Sequence, residues 1–345
     1  GYGYVQGYRE VDPPTGADTR VGAEAGRVLL CGDFGPMLDP LIGRLRSEGY
    51  DHLHVSAADD DQVGEGRTFA FGIIADTPDH DTTPLTERVV GPVERTVSLL
   101  KGLAARRPEF TGGLLAVTRS ALAVTGEEPA PDPGQAGVLG LMRVATLEYR
   151  TLGIRCVDID ERVPPKVLIA EARATARPPL LFHREDRCYE PVVQRHAIVP
   201  GDGTSGPVPP DGAVVISGGT GGLGAVVARD LARQGFQNLV LLGSQREEPT
   251  SDAAFGPQDD PAVAEVVRLD MGEPGAVERT VRGIRERHGR ISGVIHLAGR
   301  PGIGFLHTKT TDEFMAVYRP KALGGVALHN ATRDDDLRFF VAFSS

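Results

Sequence analysis

"AVVISGGTGGLGAVVARDLARQG", Ala213 to Gly235, opens on a short apolar run, passes through a glycine-rich turn and continues with helical spacing. Such a run reads as a strand buried in a sheet, and Gly222–Gln234 as the helix that follows it. The glycines at 219, 221 and 224 fit GxGxxG, directly after the strand and at the start of the helix. Glycine there lets the backbone turn tightly and come close to a pyrophosphate, while the first N–H groups and the positive end of the helix face the anion. The same spacing also serves an ordinary turn. It is the strand before and the helix after that make a dinucleotide site the better reading.

Outward from this stretch, strands are expected at Asn238–Leu242, Glu265–Leu269 and Gly293–Leu297. Helices are expected at Pro274–His288 and Thr311–Arg333, with a last strand in "RFFVAFSS". Upstream the same alternation runs through "RVLLCG", "DHLHVSA", "TFAFGIIAD", "GGLLAVTRSALAV" and "GIRCVDID". Helical patterns lie between these runs, in "MLDPLIGRLRSEGY", at Glu94–Arg106 and at Gln135–Tyr149. Strands alternating with helices predict an α/β fold with a doubly wound parallel sheet, and two sets of them predict two Rossmann-like subdomains. The Gly/Pro/Asp cluster "HAIVPGDGTSGPVPPDG" has little to bury and marks the joint, so residues 1–205 and 206–345 are expected to fold as separate subdomains. In the first half the corresponding turn is "GDFGPMLDPL". Pro36, Met37 and Pro40 stand where a phosphate would need bare backbone and free N–H groups. The first half is therefore a degenerate copy, a scaffold without a phosphate site.

Bulk properties narrow the function classes. A chain of 345 residues suits two hydrophobic cores. The formal net charge of -10, with no basic stripe, argues against nucleic acid as a partner. Cys31, Cys156 and Cys188 stand alone, without metal-ligand spacing, which predicts neither a zinc site nor a disulfide framework and suits a reducing cytoplasm. The opening "GYGYVQGYREVDPP" has no basic start followed by an apolar run, and no stretch reaches membrane-spanning length, so no membrane partner is expected.

In the first half "TRSALAV" is followed by "GQAGVLGLMRVATLEY"; in the second, "ISGGTGGLG", "LDM", "GVIHLAG", "YRPKALGG" and "FVAFSS" occur in that order. These motifs resemble the ketoreductase domain of modular polyketide synthases, within the short-chain dehydrogenase/reductase superfamily, over nearly the whole chain from about Gly26. The resemblance implies a structural first subdomain that binds no cofactor and a catalytic second one. It implies hydride transfer from NADPH to the β-keto carbon of an acyl chain held as a thioester on the phosphopantetheine of an acyl carrier protein. Neighbouring synthase domains are the other partners it implies.

In this family a tyrosine supplies the proton, a serine hydrogen-bonds the carbonyl oxygen, and a lysine binds the nicotinamide ribose. Carried over by position, the lysine is Lys321 of "YRPK" and the serine is Ser345, the second serine of "FSS". Gly219, Thr220, Gly221, Gly222, Leu223 and Gly224 would line the pyrophosphate turn; Asp270 and Met271 would flank the adenine; Ala298 and Gly299 would lie beside the nicotinamide ribose. Ser244 fits the small residue that ends the next strand, and Arg246 is placed to reach the 2′-phosphate, with Gln245 in the usual arginine position. No metal is implied.

Some features depart from the family pattern. The tyrosine is expected after the serine, and the sequence as given ends at Ser345. The expectation is a piece of a longer polypeptide, the alternative being a non-reducing pseudo-ketoreductase that organises synthase domains. Tyr318 shares a helix face with Lys321 and is read as structural. Residues 246–261, rich in proline and acid, read as a loop where relatives have a helix. Pro301, Gly302 and Ile303 replace the Leu-Asp-Asp motif of B-type relatives, which implies an A-type enzyme and an L-configured hydroxyl product.

Overall fold

In the computed structural model, which describes residues 2–14, 26–56, 63–77, 83–174, 177–197, 211–243 and 261–344, the apolar runs become two predominantly parallel sheets. The first set comprises β1 (Tyr2–Val11), β2 (Arg27–Asp33), α1 (Leu38–Ser47), β3 (Asp51–Val55), β4 (Thr68–Phe69), β5 (Phe71–Asp76), α2 (Leu85–Arg106) and β6 (Glu109–Phe110). It continues with β7 (Leu114–Arg119), α3 (Pro133–Glu148), β8 (Ile154–Ile159), α4 (Pro165–Arg173), β9 (Leu180–Arg184) and β10 (Arg187–Ala197). The sheet order is β1-β10-β9-β8-β7-β5-β2-β3, with β4 and β6 paired apart. Neighbours from β3 to β9 are parallel, and β10 and β1 add an antiparallel edge.

The second set is β11 (Ala213–Ser217), α5 (Gly222–Arg233), β12 (Leu239–Gly243), β13 (Val263–Arg268), α6 (Pro274–His288), β14 (Ile291–His296), α7 (Thr311–Tyr318), α8 (Gly324–Ala331) and β15 (Phe339–Ala342). Its sheet is parallel throughout, in the order β13-β12-β11-β14-β15. Every residue of β11, β12 and β14 is buried, as strands covered on both faces require. The alternation of side chains divides the interior into two cores. Val215, Val240, Leu242 and Val294 face Val277, Val281 and Ile284 of α6 and Ala327 and Leu328 of α8, whereas Val214, Ile216, Leu239 and Leu241 face Ala228 of α5. Strand order reverses between β11 and β14. In open α/β sheets that reversal leaves a crevice at the carboxyl ends of the two strands, where ligands bind.

The chain divides into two compact units: Gly1–Ile198 with Gly304–Thr311, and Val199–Ile303 with Asp312–Ser345. A single cut at 205/206 thus misses residues 304–311, which pack with the first unit. There the Leu306 amide donates to Glu148 Oε2 (2.6 Å), and the Lys101 ammonium donates to the Lys309 carbonyl.

Elsewhere the structure differs from the sequence expectation for identifiable reasons. The opening segment is β1, paired over its length with β10, a partner far downstream that no local pattern announces. Helix α2 begins at Leu85 and runs through Pro92. The helix expected over 311–333 is broken by one π-helical turn at Arg319–Leu323. Pro320 lies in that turn, and a proline has no N–H and crowds the carbonyl four residues back, so the backbone widens locally.

Candidate active site

The polypeptide leaves β11 at Ser217 and turns on Gly218, whose φ of +69° suits glycine and almost no other residue. A side chain at Gly218 would also lie 2.9 Å from the Ala298 nitrogen. Gly219 is equally closed in, with Ile216 O 2.8 Å from where its Cβ would be, and a Cβ at Gly224 would overlap the Gly218 carbonyl oxygen. These glycines let three backbone segments meet: the turn, the first turn of α5, and the residues after β14. Gly221 is the N-cap of α5 in extended conformation, and no side chain caps the helix. Gly222, one residue on, has open space around its Cβ position. The start of α5 therefore presents uncapped N–H groups beside Gly221 and Gly222, which fits a pyrophosphate. Leu223 is exposed at this edge. Thr220 bends over Gly243 at the end of β12, where a Cβ would overlap the Thr220 hydroxyl.

Across the crevice, Ala298 and Gly299 follow β14, Ala298 buried and Gly299 exposed. Lys321 lies in the π-helical turn, and its Cε is 3.2 Å from the Cβ position of Gly299. Lys321, Ala298, Gly299 and the glycine turn, far apart in sequence, are thus brought to the point where strand order reverses. Asp270 is exposed and accepts from the Gly272 amide (2.8 Å), holding its own turn. Met271, expected beside an adenine, has its side chain in the hydrophobic core with α6 and α8, so only its backbone and Asp270 border the open side. Tyr318 stacks on Phe314 within α7. Ser244, Arg246, Ser345 and residues 246–260 lie outside the described residues.

Two polar residues that sequence reading passed over lie behind this site. Ser217 and His296 end the adjacent strands β11 and β14, buried, with Ser217 Oγ 2.6 Å from His296 Nδ1 and His296 Nε2 2.8 Å from the Lys321 carbonyl oxygen. Burial holds His296 below its ordinary pKa, only partly offset by its hydrogen bond to the Lys321 carbonyl, and the Lys321 charge lowers it further. The signal was present within the quoted motifs: each is a polar residue closing an apolar strand.

The first unit has a different polar cluster. Glu171, His183 and Cys188 are buried close enough to share an ion. Arg177 fills that role, donating to Glu171 Oε1 (2.9 Å) and to Cys188 Sγ (3.5 Å). Burial pushes the Cys188 thiol up to about 12, which leaves it a poor nucleophile. Among the described residues, no helix is long and apolar enough to cross a membrane.

Comparison with known proteins agrees with this geometry. Residues 212–345 match the family model of the KR domain, and residues 18–192 match that of the polyketide synthase extender module SpnB, Rossmann fold domain. One of the phenolphthiocerol/phthiocerol polyketide synthase subunits of Mycobacterium tuberculosis is 33% identical over 237 residues, 66% of this chain and 13% of that protein. Polyketide synthase GfsA of Streptomyces halstedii is 30% identical over 316 residues, 89% of this chain and 4% of that protein. The chain thus spans a small fraction of the curated relatives it matches. Among solved structures, the ketoreductase from the first module of phoslactomycin biosynthesis in Streptomyces sp. HK803 superposes with a TM-score of 0.75 at 25% identity, over 100% of this chain and 72% of that one. The first ketoreductase of the tylosin polyketide synthase gives 0.70 at 25% identity, over 99% and 72%. The chain belongs to the ketoreductase domains of modular polyketide synthases.

Proposed function

We propose that this domain reduces the β-keto group of an acyl thioester carried on the phosphopantetheine arm of an acyl carrier protein, with NADPH as reductant and an L-configured β-hydroxyl as product. The observation that carries the reading is the convergence of the uncapped start of α5, Ala298–Gly299 and Lys321 on one crevice. When bound, NADPH supplies the hydride that reaches the carbonyl carbon while a proton reaches the oxygen. The N–H groups at the start of α5 hold the pyrophosphate charge, and Gly219, Gly221, Gly222 and Gly224 let it come close. Lys321 donates to the nicotinamide ribose, and its cation lowers the cost of proton release from a nearby phenol, which the family resemblance assigns to a tyrosine following the serine. Ser345 donates to the carbonyl oxygen as charge develops on it. Arg246 favours the 2′-phosphate of NADPH over NADH. Pro301–Ile303, in place of an acidic motif, supports the A-type outcome. Neighbouring synthase domains supply and remove the acyl chain.

Titration of NADPH and NADH against the chain, followed by nicotinamide fluorescence, tests this reading, with Gly221→Asp as control. Saturable NADPH binding that is weakened at least about tenfold by a carboxylate at the start of α5 supports it. A folded chain that binds neither nucleotide overturns it in favour of a non-reducing domain that organises its neighbours.

A further inference from the structure

His296 is buried behind the crevice, and its ring joins three of the elements that build the site. Its hydrogen bonds define its protonation. Ser217 Oγ accepts from the Ala298 amide (3.3 Å) and shares the Leu297 amide (3.2 Å) with the Ser217 carbonyl oxygen (2.9 Å), so its single O–H is directed at His296 Nδ1 (2.6 Å). That makes Nδ1 an acceptor. The proton of a neutral imidazole is then on Nε2, which donates to the Lys321 carbonyl oxygen at 2.8 Å. A continuous hydrogen-bonded chain runs from the backbone after β14, through the last residue of β11, to the π-helical turn that carries Lys321.

Packing makes this link specific to the ring. A Cβ at Gly325 would lie 3.2 Å from His296 Cδ2 and 3.4 Å from Nε2. One at Gly324 would lie 2.9 Å from the Met271 carbonyl oxygen and 3.5 Å from His296 Cε1. The paired glycines therefore let the start of α8 rest on the imidazole and on the Met271 backbone at once. The π-helical turn needs such an anchor, because its hydrogen bonding is irregular: the Gly324 amide is shared between the carbonyls of Arg319 and Lys321.

We infer that His296 is a positioning residue: as the Nε2–H tautomer it pins the Lys321 turn to the ends of β11 and β14 and so fixes Lys321 beside Gly299. Its consequence for cofactor binding rests on the function proposed above; its consequence for the backbone does not. Glutamine places its amide nitrogen close to the position of Nε2 and keeps the donor to Lys321, whereas asparagine reaches only as far as Nδ1 and loses it. The two amides are alike in polarity and differ in reach, which separates positioning of Lys321 from a general need for a polar group.

The test is made on the chain with His296→Gln, His296→Asn and Ser217→Ala. In the wild type, without nucleotide, ring 15N shifts are expected to show a neutral His296 protonated at Nε2; the Nδ1–H tautomer or an imidazolium near neutral pH overturns the inference. Amide exchange at Leu323–Gly325 is expected to rise about tenfold in His296→Asn and to stay within about threefold of wild type in His296→Gln. The NADPH dissociation constant is expected to follow the same order, about tenfold weaker for Asn and near wild type for Gln. In Ser217→Ala the Lys321 carbonyl, which can only accept, still selects Nε2–H, so the ring is expected to keep that tautomer, and an Nδ1–H signal overturns the inference. Equal effects of Gln and Asn overturn the inference. If the wild type binds no NADPH, the cofactor reading fails, and the ring tautomer and exchange pattern still decide the role of His296.

Discussion

The two strand–turn–helix units that open the two sheets, β2 to α1 and β11 to α5, begin alike and end in opposite states. In the second, the turn "SGGTGGLG" leaves the start of the helix uncapped and open. In the first, "GDFGPM" folds into a short 3₁₀ turn at Gly35–Met37, the Gly35 amide is taken by the Asp33 carboxylate (2.8 Å), and Phe34 is fully buried. Asp76, at the end of the neighbouring β5, adds a second carboxylate whose side chain is almost inaccessible. A phosphate brought there would meet a phenyl ring and acids where the second unit offers N–H groups. Similar units can thus close or leave open the space in front of the helix, and the difference lies in what fills the first turn after the strand.

The most damaging change to the first unit should be Phe34→Ala, which empties a fully buried site in its turn. A loss of about 3–5 kcal/mol is expected, read from hydrogen exchange of first-unit amides, with NADPH binding by the second unit unchanged. A parallel loss of NADPH binding would break the contrast between scaffold and site. In the second unit, Gly224→Ala forces a methyl against the Gly218 carbonyl and Gly219 Cα, and should cost about 2–3 kcal/mol together with nucleotide binding. Gly222→Ala, two residues away in open space, should leave thermal stability within about 0.5 kcal/mol.

The next effect concerns a loop of the first unit. Glu128 accepts from the amides of Val124, Thr125 and Gly126 and from Arg184 Nε, so Glu128→Ala should cost about 2 kcal/mol in denaturant unfolding. Partial burial alone would raise the Glu128 pKa, but the amides of Thr125 and its neighbours outweigh it and hold the group down to about 2. Its contribution is therefore full above the unfolded carboxylate range and is lost as pH falls toward 2. Asp76 behaves in the opposite sense. Burial, only partly offset by Arg95 at 2.9 Å, raises it to about 6. The native state then holds its proton more tightly than the unfolded chain does, so this contribution is present at about pH 4 and is lost as pH rises through 6. Unfolding midpoints should show it as a fall of at most about 1.4 kcal/mol per pH unit across that window, absent in Asp76→Asn.

Much of this was legible in the chain itself. Ala213–Ser217 and Pro274–His288 form the strand and helix that their apolar spacing predicts, because burial on a fixed period is a local property of sequence. The pairing of β1 with β10 was not legible. "GYGYVQGYREV" sets Tyr2, Tyr4 and Tyr8 on alternate positions, but the ladder that makes it a strand runs to residues far downstream. Arg9 meeting Glu190 across it is a consequence of that register. The same division holds at the site. The glycine spacing pointed to Gly219, Gly221 and Gly224 because close backbone approach is a property glycine carries with it, whereas Ala298, Gly299 and Lys321 were named through the family resemblance of "HLAG" and "YRPK"; the fold brings all six to one crevice. The roles of Ser217 and His296 come from hydrogen-bond partners that a sequence does not contain. Only the juxtaposition of the ends of β11 and β14, with a π-helical turn packed on paired glycines, decides which nitrogen of His296 donates and what it holds in place.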